Sequence, residues 1–134
     1  MEKKFKRDIS SLENIFEFVE EFISSYDIAP SIMYPIQLAI EELFTNILKY
    51  QPDGRSDVAV YLEITDNQLV IRLTDFDSEP FDLTKTEEVN TSEYIQKKKP
   101  GGLGIHLVKQ MVDSLDYEYN NRTSTITLTK HLEM

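Results

Sequence analysis

From Leu12 onward, apolar residues return every three or four positions as Leu12, Ile15, Phe16, Val19, Phe22 and Ile23, with Glu13, Glu17, Glu20 and Glu21 set between them. That period predicts an amphipathic helix running to about Ser25. Ser10 with Glu13 three residues later has capping-box spacing and puts the start there. The short basic stretch Lys3 to Arg7 ahead of it reads as an edge strand, and Asp27 to Pro30 as a connector. A second helical stripe follows in Ile36, Ile40, Leu43, Ile47 and Tyr50. Pro35 suits a first turn, so regular helix is expected from near Tyr34, and Gln51 to Arg55, with Pro-Asp-Gly, ends it.

The period then changes to two. Val58, Val60, Leu62 and Ile64 alternate with Ala59, Tyr61 and Glu63, Asp66-Asn67 makes a turn, and Leu69, Ile71 and Leu73 alternate again. This predicts a hairpin. From Ser78 to Pro100 periodicity fades into Thr, Ser, Asn, Glu and a Lys97-Lys98-Lys99 run, a stretch long enough in a small domain to be read as a lid. After Gly101-Gly102-Leu103-Gly104 a helix carries Leu103, Leu107, Val108, Met111, Val112 and Leu115. Two closing strands are expected near Tyr117 to Tyr119 and Thr123 to Thr129. No internal repeat is visible.

Length and charge narrow the picture. A chain of 134 residues is the size of one domain, expected to span 1–134. Fourteen basic against 24 acidic residues leave a net charge of −10, which argues against gripping nucleic acid or an anionic membrane through the overall field. With no Cys, disulfides, thiolate zinc sites and cysteine nucleophiles are excluded, and two histidines, His106 and His131, argue against a classical zinc site. An oxygen-bound Mg²⁺ stays open. The charged stretch Met1 to Asp8 is followed by no signal-peptide core, and no apolar run reaches membrane-helix length, so the expected location is cytoplasmic.

Three features could carry chemistry. Glu42 and Asn46 are four apart and so stack on one helix face, beside the apolar stripe. A carboxylate next to an amide that cannot ionise could serve as base and Mg²⁺ ligand, or both side chains could simply face water. Asp75 has the parity of Leu69, Ile71 and Leu73, so an ionisable group is aimed at the buried side as the strand ends. It needs a partner, either a ligand amino group or a capping amide. Finally, Lys97-Lys98-Lys99-Pro100-Gly101-Gly102-Leu103-Gly104-Ile105 runs glycines into a helix N-terminus, as an anion cradle does, although a plain glycine-rich connector has the same pattern. It matches neither the dinucleotide fingerprint nor the P-loop. His106 is expected at a helix surface or core edge, and Phe16, Phe18, Phe22 and Phe44 in the core or on a partner face.

The order of these features is more specific than any one of them. Through Ile40-Glu41-Glu42-Leu43-Phe44-Thr45-Asn46-Ile47-Leu48-Lys49-Tyr50 and Gly101-Gly102-Leu103-Gly104-Ile105-His106-Leu107-Val108-Lys109, the chain resembles the GHKL (Bergerat-fold) ATPases, and within them the bacterial anti-sigma factor serine/threonine kinases. The resemblance covers about Gln37 to the C-terminus. It implies an α+β fold, a two-layer α/β sandwich with a mixed, mainly antiparallel sheet, holding ATP and Mg²⁺ between the helices and the lid.

On that resemblance Glu42 activates the attacking hydroxyl and Asn46 holds Mg²⁺ against the phosphates. Asp75 accepts from the adenine amine. Gly101, Gly102, Leu103, Gly104 and Ile105 border the phosphates, and Lys49, Asp77 and Lys99 complete the cofactor-binding set. The implied acceptor is a serine or threonine of a small anti-anti-sigma (STAS-type) protein, with a sigma factor as second partner and a homodimer as the assembly. One position departs from the pattern: Asp77 stands where the family usually has glycine, placing a side chain and a negative charge beside the nucleotide. That departure keeps an alternative in view, a non-catalytic interaction module of the same fold that sequesters a sigma factor or signalling partner. The ATP-binding half of a sensor histidine kinase fits less well, because only Met1 to Ser10 precedes the first helix.

Overall fold

The computed structural model describes residues 1–26, 28, 30–50, 56–76 and 102–132. The expected lid, 78–100, lies outside them, as do Asp27 and 51–55. In chain order the elements are strand β1 (Glu2–Phe5), helix α1 (Ser11–Ser24), a 3₁₀ turn (Pro30–Ile32), helix α2 (Met33–Tyr50), strands β2 (Val58–Thr65) and β3 (Gln68–Asp75), helix α3 (Gly102–Met111), and strands β4 (Ser114–Asn120) and β5 (Thr123–His131).

The strands form one sheet in the order β1-β2-β3-β5-β4. Every described pairing is antiparallel, which narrows the expected mixed, mainly antiparallel sheet to an antiparallel one. The period-two alternation selects the buried face. Val58, Val60, Leu62, Leu69, Ile71, Leu73, Ile126 and Leu128 are buried in one cluster with the helices, through Ile15, Val19, Ile36, Ile40, Leu43, Phe44, Val108 and Val112. Both hairpins turn through paired left-handed residues: Asp66 and Asn67 at φ 51° and 60°, Asn121 and Arg122 at φ 50° and 62°. Two successive positive φ values are the mark of a type I′ turn, whose twist matches that of the strands it joins.

Three local expectations change, the simplest being that Leu115, expected in the last helix, lies in β4, because the helix ends at Met111 and Leu115 pairs with Leu128 of β5. Helix α1 begins where Ser10 and Glu13 suggested, but no capping box forms: Ser10 is already helical at φ −63°, ψ −17°, and its side chain makes no capping bond. The turn before it does the work, with Asp8 Oδ1 accepting the Ser10 N–H at 3.1 Å and the Asp8 carbonyl accepting the Ser11 N–H at 2.9 Å. A side chain on a helical backbone points away from the N–H groups it would need to cap, which is why the signature fails here. In α3, Leu107 was placed on the apolar stripe but is 41% exposed, while Val108 is fully buried. The helix is pinned at its C-terminal end, where Lys130 Nζ donates to the Met111 carbonyl at 2.8 Å and the Asp113 N–H donates to Thr129 at 2.8 Å. Val108 faces the core and Leu107 lies off that face.

Candidate functional site

Helix α2 positions the first pair. Leu43, Phe44 and Ile47 are buried against the sheet, and Asn46, only 2% exposed, is drawn in with them. A buried amide must find partners. Asn46 Nδ2 donates to Glu42 Oε1 at 3.2 Å, one turn back along the helix. The i, i+4 spacing read from the sequence is thus a made contact. It uses the nitrogen of Asn46 and one oxygen of Glu42, and among the described residues no hydrogen bond occupies Asn46 Oδ1 or Glu42 Oε2. Amide and carboxylate oxygens are the hard donors a Mg²⁺ ion takes. Lys49, in the same turn as Asn46, is exposed.

Helix α3 packs against α2, and its Val108 is buried in the shared core. Its first turn is Gly102, Leu103, Gly104 and Ile105, so the backbone N–H groups that no helix satisfies internally belong to the glycine-rich segment. Gly101, Asp77 and Lys99 lie outside the described residues. His106 is half-buried, its Nε2 3.2 Å from Gln110 Nε2, as expected for a core-edge position.

Asp75 ends β3 on the buried face, as its parity required, and is 2% exposed. Its partner is one the sequence reading missed. Arg7, just beyond β1, forms an ion pair with Asp75 Oδ1, and the arginine side chain is itself only 8% exposed. Arg7 Nε also donates to the Ser56 carbonyl at 3.2 Å. Asp75 Oδ2 is buried and, among the described residues, has no hydrogen-bond partner. An unsatisfied buried acceptor costs about 1–3 kcal/mol, so this oxygen is suited to a donor that the described residues do not supply. Among the described residues no group of three or more His, Cys, Asp or Glu side chains is placed to hold a metal ion.

Tyr61 lies elsewhere, on the sheet face turned away from the helices. Its hydrogen bond to Glu63, with burial and the Glu63 charge adding to it, holds the phenol above its usual 10.0.

The sequence as a whole resolves what this arrangement belongs to. A family model for the histidine kinase-like ATPase domain matches residues 5–130. The chain belongs to that family. Among curated members, it is 27% identical over 103 residues to the serine-protein kinase RsbW of Staphylococcus aureus, covering 72% of this chain and 64% of that protein. The figures for the same-named protein of Listeria monocytogenes are identical. The chain therefore spans 64% of the length of these curated relatives. Among solved structures, the RsbU and RsbW domains of a Mycobacterium tuberculosis protein align with a TM-score of 0.69 at 14% identity, over 98% of this chain and 32% of that one. A chain of the SiaB–SiaC complex from Pseudomonas aeruginosa aligns with a TM-score of 0.66 at 13% identity, over 99% of this chain and 88% of that one. At such identities these structures speak for the fold, which is the histidine kinase-like ATPase fold, an α+β sandwich.

Proposed function

We propose that this protein is an ATP-binding regulator that transfers a phosphoryl group to a serine or threonine of a small anti-anti-sigma (STAS-type) protein and, as an anti-sigma factor, binds a sigma factor as its second partner. The observation that carries the reading is Asp75 Oδ2, a buried acceptor left without a donor among the described residues, in a family of ATPases. In this reading Oδ2 accepts from the adenine amine, and Asn46 turns Oδ1 toward Mg²⁺. The N–H groups of Gly102 and Gly104 border the phosphates. Glu42, steadied through Oε1 by Asn46, takes the proton of the acceptor hydroxyl with Oε2. Bound Mg²⁺ supplies neutralisation of phosphate charge. Relatives named serine-protein kinase support the reaction class. A fold shared with a chain of a two-protein complex supports a protein partner. No helix among the described residues is long and apolar enough to cross a membrane, which is compatible with the cytoplasmic setting proposed here.

Calorimetry with MgATP, followed by transfer of labelled phosphate to a candidate acceptor domain, tests the proposal. Glu42→Ala is expected to keep nucleotide binding and to lose transfer by about 10²-fold or more, the usual size of a general-base contribution. No binding at about 1 mM MgATP, where even a weak site is half filled, overturns it. A second reading, a non-catalytic module that sequesters its partner, is favoured by Asp77 at the usual glycine position. Binding of both nucleotide and partner without transfer decides for it.

A further inference from the structure

Asp75 is a carboxylate in a buried position with two unlike oxygens. Oδ1 is engaged by the Arg7 guanidinium, and Oδ2 has no partner among the described residues. Burying a carboxylate is costly unless a cation is paired with it, and carboxylate oxygens only accept hydrogen bonds. The hold of the arginine on Oδ1 therefore determines which oxygen is left to read a ligand edge.

The route by which Arg7 reaches Asp75 is specific. In the sheet, β2 lies between β1 and β3, and Val58 pairs with both Phe5 and Asp75. Only a long side chain from the end of β1 can pass over the start of β2 to β3. Arg7 does so, donating to the Ser56 carbonyl at 3.2 Å on the way. A second contact ties the same two ends together: Lys4 Nζ lies 5.2 Å from the ring centroid of Phe76, the residue after Asp75.

We propose that Arg7 is a positioning residue for the nucleotide site, engaging Asp75 Oδ1 so that Oδ2 is aimed as the open acceptor and so selecting a purine with an amino group over one with a keto group. This rests on the reading of Asp75 given above. A 6-amino purine offers an N–H to Oδ2. A 6-keto purine offers an oxygen, and two acceptors face each other with no proton between them. Arg7 does not touch the nucleotide in this scheme. It acts through Asp75.

The test is calorimetric titration of the full chain with MgATP and with the magnesium complex of inosine triphosphate, whose base carries a 6-keto group and an N1–H in place of the 6-amino group and the bare N1. The unaltered protein is expected to prefer ATP by about tenfold or more, as a site that reads a polar group does. Arg7→Gln, checked for native circular dichroism, is expected to reduce that preference by about tenfold, and Arg7→Lys to restore part of it. If Arg7→Gln does not fold, Arg7→Met, which keeps the apolar stem, is read in the same way. A folded variant lacking the arginine that retains the full preference overturns the role of Arg7 and leaves the nucleotide site intact, since a merely structural arginine would change stability and not this ratio. Equal binding of the two nucleotides by the unaltered protein also overturns it. Failure of the unaltered protein to bind either nucleotide overturns the functional reading itself.

Discussion

Burial at a single residue separates what was readable in Asp75 from what was not. Strand parity put its side chain on the covered face, because a period of two leaves no choice once Leu69, Ile71 and Leu73 are inside. Its partner was invisible, because Arg7 lies 68 positions away and sits in a basic stretch that looks like an ordinary solvated edge. A long-range ion pair leaves no local pattern in the sequence. The pair also makes a stability prediction. Breaking a buried ion pair strands a charge, so Asp75→Leu and Arg7→Met are each expected to destabilise the fold by about 3 kcal/mol. Replacing both partners with apolar residues, Arg7→Met with Asp75→Leu, is expected to recover most of that loss. Urea unfolding midpoints for the two single variants and the double variant measure the coupling. Equal, additive losses would mean that the two side chains contribute independently.

At the level of elements, periodicity did most of the work and termini the least. Helices α1 and α2 and the hairpin of β2 and β3 follow the apolar spacing closely, since each buries one face against a shared core. Asp66-Asn67 was legible as a turn because those residue types tolerate positive φ. The start of α1 was right in place and wrong in cause: a sequence signature records which residues could cap, whereas the backbone of Ser10 decides whether they do. Ser10→Ala is therefore expected to change stability by less than about 0.5 kcal/mol, in the range of an ordinary surface substitution. Asp8→Ala, which removes the acceptor of the Ser10 N–H, is expected to cost about 1 kcal/mol. Thermal unfolding of the two variants side by side distinguishes them, and the reverse order would restore the capping box. Leu107 shows the remaining weakness of pattern reading. Helical spacing alone allows it onto the apolar stripe, and the tertiary packing that buries Val108 leaves it outside.

The whole molecule sets the field in which any nucleotide arrives. A net charge of −10 repels MgATP, itself an anion, so on the proposed function capture depends on local donors against an unfavourable long-range potential. Screening acts on the two contributions unequally. Raising ionic strength from about 0.01 M to about 0.15 M shortens the Debye length from about 30 Å to about 8 Å, which removes most of the repulsion from distant carboxylates. Contacts at hydrogen-bond distance inside a covered site are far less affected. The association rate of MgATP is thus expected to rise with added salt over this range, while the dissociation rate stays nearly constant. Stopped-flow measurement with a fluorescent ATP analogue at several salt concentrations reads both rates. A rate that falls with salt would mean that attraction outweighs the global field on the approach path, and Lys97 to Lys99 are the cations in the sequence best able to supply it, so Lys→Ala substitutions there should then abolish the salt dependence.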